Sequence, residues 1–305
     1  MKVVLRSLKD LFSSENEFFA LARKGKRITH IALAIPMLIV FLIGGFIISE
    51  GIIYEFLLRN LNLSRELREF YNLAISFGFV IGFVWLWVRF FEKRHLSTLG
   101  LKIKGAFKIY LNGFFGGLIM LSVVIGLMVI FGVLSFQENP EPFSIDFLGV
   151  MILLLIGYVV QGASEEILAR GWQFQVIGAR YKPWLGAVIS SLMFALLHGM
   201  NTGVSVIAII NLLLFSFFLI LFILYYKNIW AACGWHTAWN WSTENIFGLK
   251  VSGTQGAGSV LNLSTDGANY LTGGDFGPEG SILTTFVLVA GMIVVLVKHS
   301  KNKNN

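Results

Sequence analysis

Eight predominantly apolar runs constrain this chain more than anything else in its sequence, because each is near the roughly 20 helical residues needed to cross a hydrocarbon core. They lie at 31–54, 71–91, 109–135, 147–164, 184–200, 204–226, 229–247 and 281–297. The expected fold class is therefore all-α: a polytopic membrane bundle of eight transmembrane helices. Composition points the same way, since 56% of the 305 residues are hydrophobic and 13% are charged, too few charges to cover an aqueous surface. The first run is too long, and too far behind the basic stretch at 23–27, to be a cleaved signal peptide.

The loops alternate in charge. The N-terminus, 92–108, 178–183, Lys227 and the tail with Lys298, Lys301 and Lys303 are basic, whereas Gln137 to Glu141 and the Gly/Ser/Thr-rich 250–280 are mixed or acidic. By the positive-inside rule both termini are cytoplasmic, which places a multi-pass protein in the cell membrane. The same distribution accounts for the net charge of +7, so the bilayer is the expected partner and nucleic acid is not. Five units follow: a basic amphipathic segment 1–30, three leading helices in 31–144, a four-helix core in 145–247, an extracytoplasmic loop 248–280, and the last helix with its basic tail in 281–305. Segment 1–28 reads either as a helix on the anionic inner leaflet or as a disordered arm. Loop 250–280 is either a lid or a connector. The single cysteine, Cys233, excludes a disulfide framework and reads as a packing residue.

Ionisable groups at membrane depth are costly unless paired or set in a wet cavity, so each marks a candidate site. Of five histidines only His198 and His236 fall within helices. The fourth run continues through Glu165, Glu166 and Arg170 to about residue 177, and Pro183 starts the next helix. In an antiparallel hairpin turning near residue 181, Glu165 and His198 lie opposite one another, each roughly 24 Å from the turn. Along the seventh helix His236 and Asn240 come roughly 12 and 18 Å from Lys227, one layer nearer the cytoplasm. Glu166 with Arg170, Phe194 with His198 and His236 with Asn240 are each four residues apart, on one helical face.

This set suits hydrolysis. A carboxylate facing an imidazole can hold a water and take its proton. Glu166 and Arg170 can pair within their helix, and the donors of His236 and Asn240 suit the oxyanion of a tetrahedral intermediate. Ser164, Ser190, Ser191 and Thr237 carry no nucleophile motif. A metal-free glutamate mechanism requires no cofactor. Glu165, His198 and His236 could instead ligate zinc, although no His-Glu-x-x-His helix is present. Trp235, Trp239 and Trp241 read as core packing or an interface belt rather than substrate stacking. Proton-coupled transport is the rival class, but the repeated halves and broken helices that mark it are missing.

Glu165-Glu166-x-x-x-Arg170, Phe194-x-x-x-His198 and His236-x-x-x-Asn240, in that order on hydrophobic helices, resemble the CPBP intramembrane proteases over roughly 145–247. That superfamily includes the type II CAAX prenyl endopeptidases and the bacterial Abi proteins. The resemblance implies an intramembrane endopeptidase acting on a membrane-associated, possibly lipidated, protein or peptide. It implies that Glu165 and His198 activate water, that His236 and Asn240 line the oxyanion site, and that Glu166 and Arg170 support Glu165. Family members are described both as metalloproteases and as glutamate proteases. Bacterial relatives are linked to bacteriocin immunity, so immunity through binding without catalysis is a further alternative.

Overall fold

The computed structural model describes residues 2–138 and 144–304. Two short helices, α1 (Lys2–Leu11) and α2 (Glu17–Ala22), precede the bundle. Then come α3 (Ile31–Leu61), α4 (Arg65–Phe91), α5 (Ala106–Ile130) and α6 (Ile145–Arg180). The second half contains α7 (Pro183–His198), α8 (Val206–Tyr226) and α9 (Trp230–Trp241), which continues in wider turns over Ser242–Ile246. A short α10 (Asn269–Thr272) and a long α11 (Ile282–Asn304) complete it. Side-chain oxygens cap the helices where the sequence offers them: Ser64 accepts from the Leu67 amide, Ser144 from Phe147 and Ser205 from Ala208. Pro183 occupies the first turn of α7, where its missing N–H costs nothing.

Every apolar run contains a helix, and among the described residues six helices are long and apolar enough to cross a membrane: α3, α4, α5, α6, α8 and α11. The 16 residues of α7 reach about 24 Å, short of a core of about 30 Å. With its wider turns α9 has 17 residues, and its last turns carry Ser242, Thr243, Glu244 and Asn245. The run lengths overshoot because apolar residues continue into turns. Met200 follows the end of α7, and Phe247 precedes Gly248, whose φ of 69° favours glycine. Conversely α3 and α4 outrun their apolar stretches, carrying the pairs Glu55 with Arg59 and Glu50 with Arg68.

Most of segment 2–28 is helical, and part of it packs on the bundle. Phe18 and Phe19 are fully buried, with ring centroids 5.8 and 5.3 Å from Phe174, whereas Val3 and Leu5 are exposed. Polar bonds fix the register, Gln175 Nε2 donating to Phe18 O at 2.8 Å and Ser7 Oγ to Leu296 O at 3.0 Å. The loop after α9 is folded too. Its strand β2 (Asn262–Thr265) pairs antiparallel with β1 (Leu134–Gln137), Leu134 lying opposite Thr265. Strand β1 starts at the end of the apolar run 109–135 and β2 lies in the loop, so an all-α expectation passes over both. Of the acidic stretch from Gln137 to Glu141, positions 139–141 lie outside the described residues.

Small residues let α9 lie directly on α5. A Cβ on Gly113 would come within 1.9 Å of Ala231 O, and one on Gly234 within 2.1 Å of Tyr110 O. Close backbone approach of this kind holds helices together where lipid supplies no hydrophobic drive. It also fixes the face of α9 that carries His236 and Asn240.

Candidate active site

The hairpin of α6 and α7 brings Glu165 Oε2 to 4.0 Å from His198 Nε2. His236, from α9, joins the same layer with Nε2 at 3.8 Å from that oxygen, so the expected offset toward the cytoplasm is absent. Depth counted from Lys227 failed because helices packed side by side need not start at the same level. Glu165 and His198 keep partial access, their side chains 16% and 18% exposed, whereas His236 is 3% exposed.

The tautomers follow from the partners. His198 Nδ1 lies 2.8 Å from Phe194 O, a carbonyl that can only accept, so Nδ1 carries the proton and Nε2 is left for Glu165 and the space beside it. His236 Nδ1 lies 2.9 Å from Glu166 Oε1, which also accepts from Arg170 Nη1 at 2.8 Å. Glu166 and Arg170 are wholly buried. The guanidinium also lies 4.0 Å from the Phe194 ring centroid, a contact that stabilises a desolvated cation. Phe194 thus serves both groups, its carbonyl orienting His198 and its ring covering Arg170.

Sequence spacing missed one polar link. Gln161 Nε2 donates to Glu165 Oε1, and Asn240 Nδ2 donates to Gln161 Oε1 at 3.2 Å, giving a chain from α9 to the carboxylate. Gln161 sits one turn before Glu165, so the i,i+4 rule that found the other pairs could have found it. Glu165 Oε2 has no hydrogen-bond partner among the described residues. A buried acceptor without a donor is an uncommon arrangement, and here it faces two imidazoles.

Beside these atoms lies a cavity of about 1080 Å³. Glu165, His198, His236 and Asn240 line it together with Leu42, Phe46 and Ile47 of α3 and Phe77 of α4. The loop after α9 contributes Ser252 and Glu279 to the same cavity. No local signal in the sequence pointed to Glu279, since it reaches the site by a fold of that loop. Cys233 is fully buried and unpaired, as a packing residue would be.

Glu165, His198 and His236 are suitable donor types for zinc, but their spacing is wide. Bonds of about 2.0–2.2 Å in a tetrahedron put ligand atoms roughly 3.3 Å apart. Here Glu165 Oε2 stands 4.0 and 3.8 Å from the two nitrogens, and among the described residues no three ligating side chains converge enough to hold a metal ion.

Residues 147–242 match the family model described as type II CAAX prenyl endopeptidase Rce1-like. That stretch contains all six residues singled out by spacing, from Glu165 to Asn240. No curated protein and no solved structure matches the chain. A match to this protease family over the helices that carry these side chains supports an intramembrane endopeptidase. The chain is a multi-pass membrane protein whose residues 147–242 match the Rce1-like family model, which is consistent with the CPBP family.

Proposed function

We propose that the protein hydrolyses a peptide bond of a membrane-associated protein or peptide, with Glu165 and His198 activating the attacking water. The observation that carries this reading is the Glu165 carboxylate oxygen, unpartnered and set 3.8–4.0 Å from two imidazole nitrogens at a cavity wall. A water there donates one hydrogen to Glu165 and the other to His198 Nε2. Glu165 takes its proton as the oxygen attacks the carbonyl carbon, and the carbonyl π pair becomes an oxyanion. His236, with Nδ1 against Glu166 and Nε2 toward Glu165, is placed to stabilise that oxyanion, joined by the second N–H of Asn240. Collapse breaks the C–N bond, and the proton on Glu165 passes to the leaving nitrogen. Zinc on Glu165, His198 and His236 would supply Lewis-acid activation instead, but the side chains would first have to close inward.

The short α7 and α9 complete an eight-segment arrangement with both termini cytoplasmic, in the cell membrane, and the cavity beneath the outer loop. A cysteine placed at Gly267 then reacts with an impermeant reagent from outside intact cells. Reaction from the cytoplasmic side only would reverse the orientation.

The functional test is reconstitution of the full chain in liposomes with plain and lipidated peptide libraries. Cleavage by the wild type that Glu165→Gln and His198→Ala abolish is the expected result. Equal cleavage by Glu165→Gln refutes the mechanism. An in vivo immunity phenotype that survives both substitutions favours binding without catalysis.

A further inference from the structure

Glu279 lies in the loop before α11, far from the matched domain in sequence, yet it is 6% exposed and lines the catalytic cavity. Its two carboxylate oxygens are used separately. Oε1 accepts from Trp239 Nε1 at 3.1 Å, and Oε2 accepts from Ser252 Oγ.

The backbone beneath this carboxylate is fixed from several sides. Asn211 of α8, itself buried, donates to both Glu279 O at 2.8 Å and Ser281 O at 2.7 Å. Thr284 Oγ1 donates to Pro278 O at 2.6 Å. Gly277 has a φ of 90°, and a Cβ there would meet Lys250 O at 2.0 Å, so the chain can turn at this point only as glycine. Ser252, the other anchor, accepts at its carbonyl from Asn201 Nδ2 at 2.9 Å, three residues beyond His198.

Trp239 in turn belongs to the same helical stretch as His236 and Asn240. It is fully buried and stacks on Trp235 with centroids 4.7 Å apart. Phe215 packs edge-on to Trp235 at 4.9 Å and to His236 at 5.1 Å, closing an aromatic wall around that imidazole.

We propose that Glu279 is a positioning residue for this site: by holding the Trp239 N–H and Ser252 together it locks the outer loop onto the face of α9 that presents His236 and Asn240. The proposal rests on the hydrolase reading above and makes the loop a working part of the active site. Glu279 acts through Trp239, and the carboxylate performs no proton transfer of its own.

The test compares Glu279→Ala, Glu279→Gln and Trp239→Phe in the reconstituted full-length protein. Glu279→Ala lowers kcat about 10²-fold with KM within about two-fold, the scale expected when a catalytic group is misplaced by about 1 Å. Glu279→Gln keeps an acceptor for Trp239 and a donor for Ser252, and so retains most of the activity. Trp239→Phe preserves the stacked ring, loses the N–H, and reproduces the alanine effect. The double variant Glu279→Ala with Trp239→Phe is no worse than either single one. Full kcat in Glu279→Ala, a glutamine variant as poor as alanine, or additive losses would each overturn the proposal. A second readout needs no substrate: the ¹⁵N imidazole signal of His236 shifts in Glu279→Ala and Trp239→Phe but not in Glu279→Gln. An unmoved signal overturns the positioning role whatever the cleavage result. A moved signal in a protein that cleaves nothing sinks the hydrolase reading and leaves the positioning role standing.

Discussion

Glu166 and His236, 70 residues apart, meet through a 2.9 Å hydrogen bond from the imidazole Nδ1 to the carboxylate Oε1. That bond turns Nε2 of His236 toward Glu165, so the two adjacent glutamates address opposite nitrogens of one ring. Glu166 therefore orients a histidine as well as compensating Arg170. Neutralising it disturbs both.

Breaking a buried ion pair by removing one partner costs about 3–5 kcal/mol, because the other charge is left without compensation. Glu166→Ala and Arg170→Ala are each expected to lower thermal stability in detergent on that scale. The paired change Glu166→Leu with Arg170→Met recovers most of it, yet remains inactive because His236 has lost its acceptor. A paired variant that regains activity would show that the Glu166 contact to His236 is dispensable.

The close contact of α5 and α9 leaves no room for a methyl group. Gly234→Ala puts a Cβ against Tyr110 O and is expected to destabilise by about 1–3 kcal/mol, as overpacking does. Gly126→Ala, on α5 where a Cβ meets nothing within 4 Å, serves as the control and should melt like the wild type. Similar melting of both variants would argue against this helix contact.

Burial pushes the Glu279 carboxyl above its usual 4.5, with the Ser252 hydrogen bond opposing. A raised folded-state value means the neutral acid is favoured in the fold. Its contribution is then complete below 4.5 and is lost as pH rises through the raised value. Glu279→Gln, which does not titrate, should match the wild type in melting temperature at acid pH and exceed it progressively toward neutrality. Parallel melting curves across that range would contradict the burial argument.

On the metal-free mechanism, exhaustive chelation leaves the rate unchanged and added Zn²⁺ does not raise it. Loss of activity with chelator, restored by Zn²⁺, would mean that Glu165, His198 and His236 draw together around an ion.

Much of this site was readable from spacing. The turn at Lys182 and Pro183 is short, so counting outward placed Glu165 opposite His198, and the i,i+4 rule gave the Glu166–Arg170 pair. Counting failed for His236, because its depth depends on how α9 settles against Gly113 and Gly117 of α5, a tertiary contact. Gln161 obeys the same local rule and was passed over among apolar neighbours. Glu279 could not be found locally: it is carried into the cavity by a loop held through Asn211, Ser252 and the β1–β2 pairing. The runs at α7 and α9 became helices of 16 and 17 residues, just under the length of a full span, so run length alone does not decide how many segments cross.

The central claim, that Glu165 takes the proton of the attacking water, is tested most directly by kcat and KM of Glu165→Gln against wild type on one identified peptide substrate in liposomes. The account predicts a fall in kcat of about 10²–10⁴-fold, the usual contribution of a general base, with KM nearly unchanged. A glutamine variant that keeps wild-type kcat would contradict it.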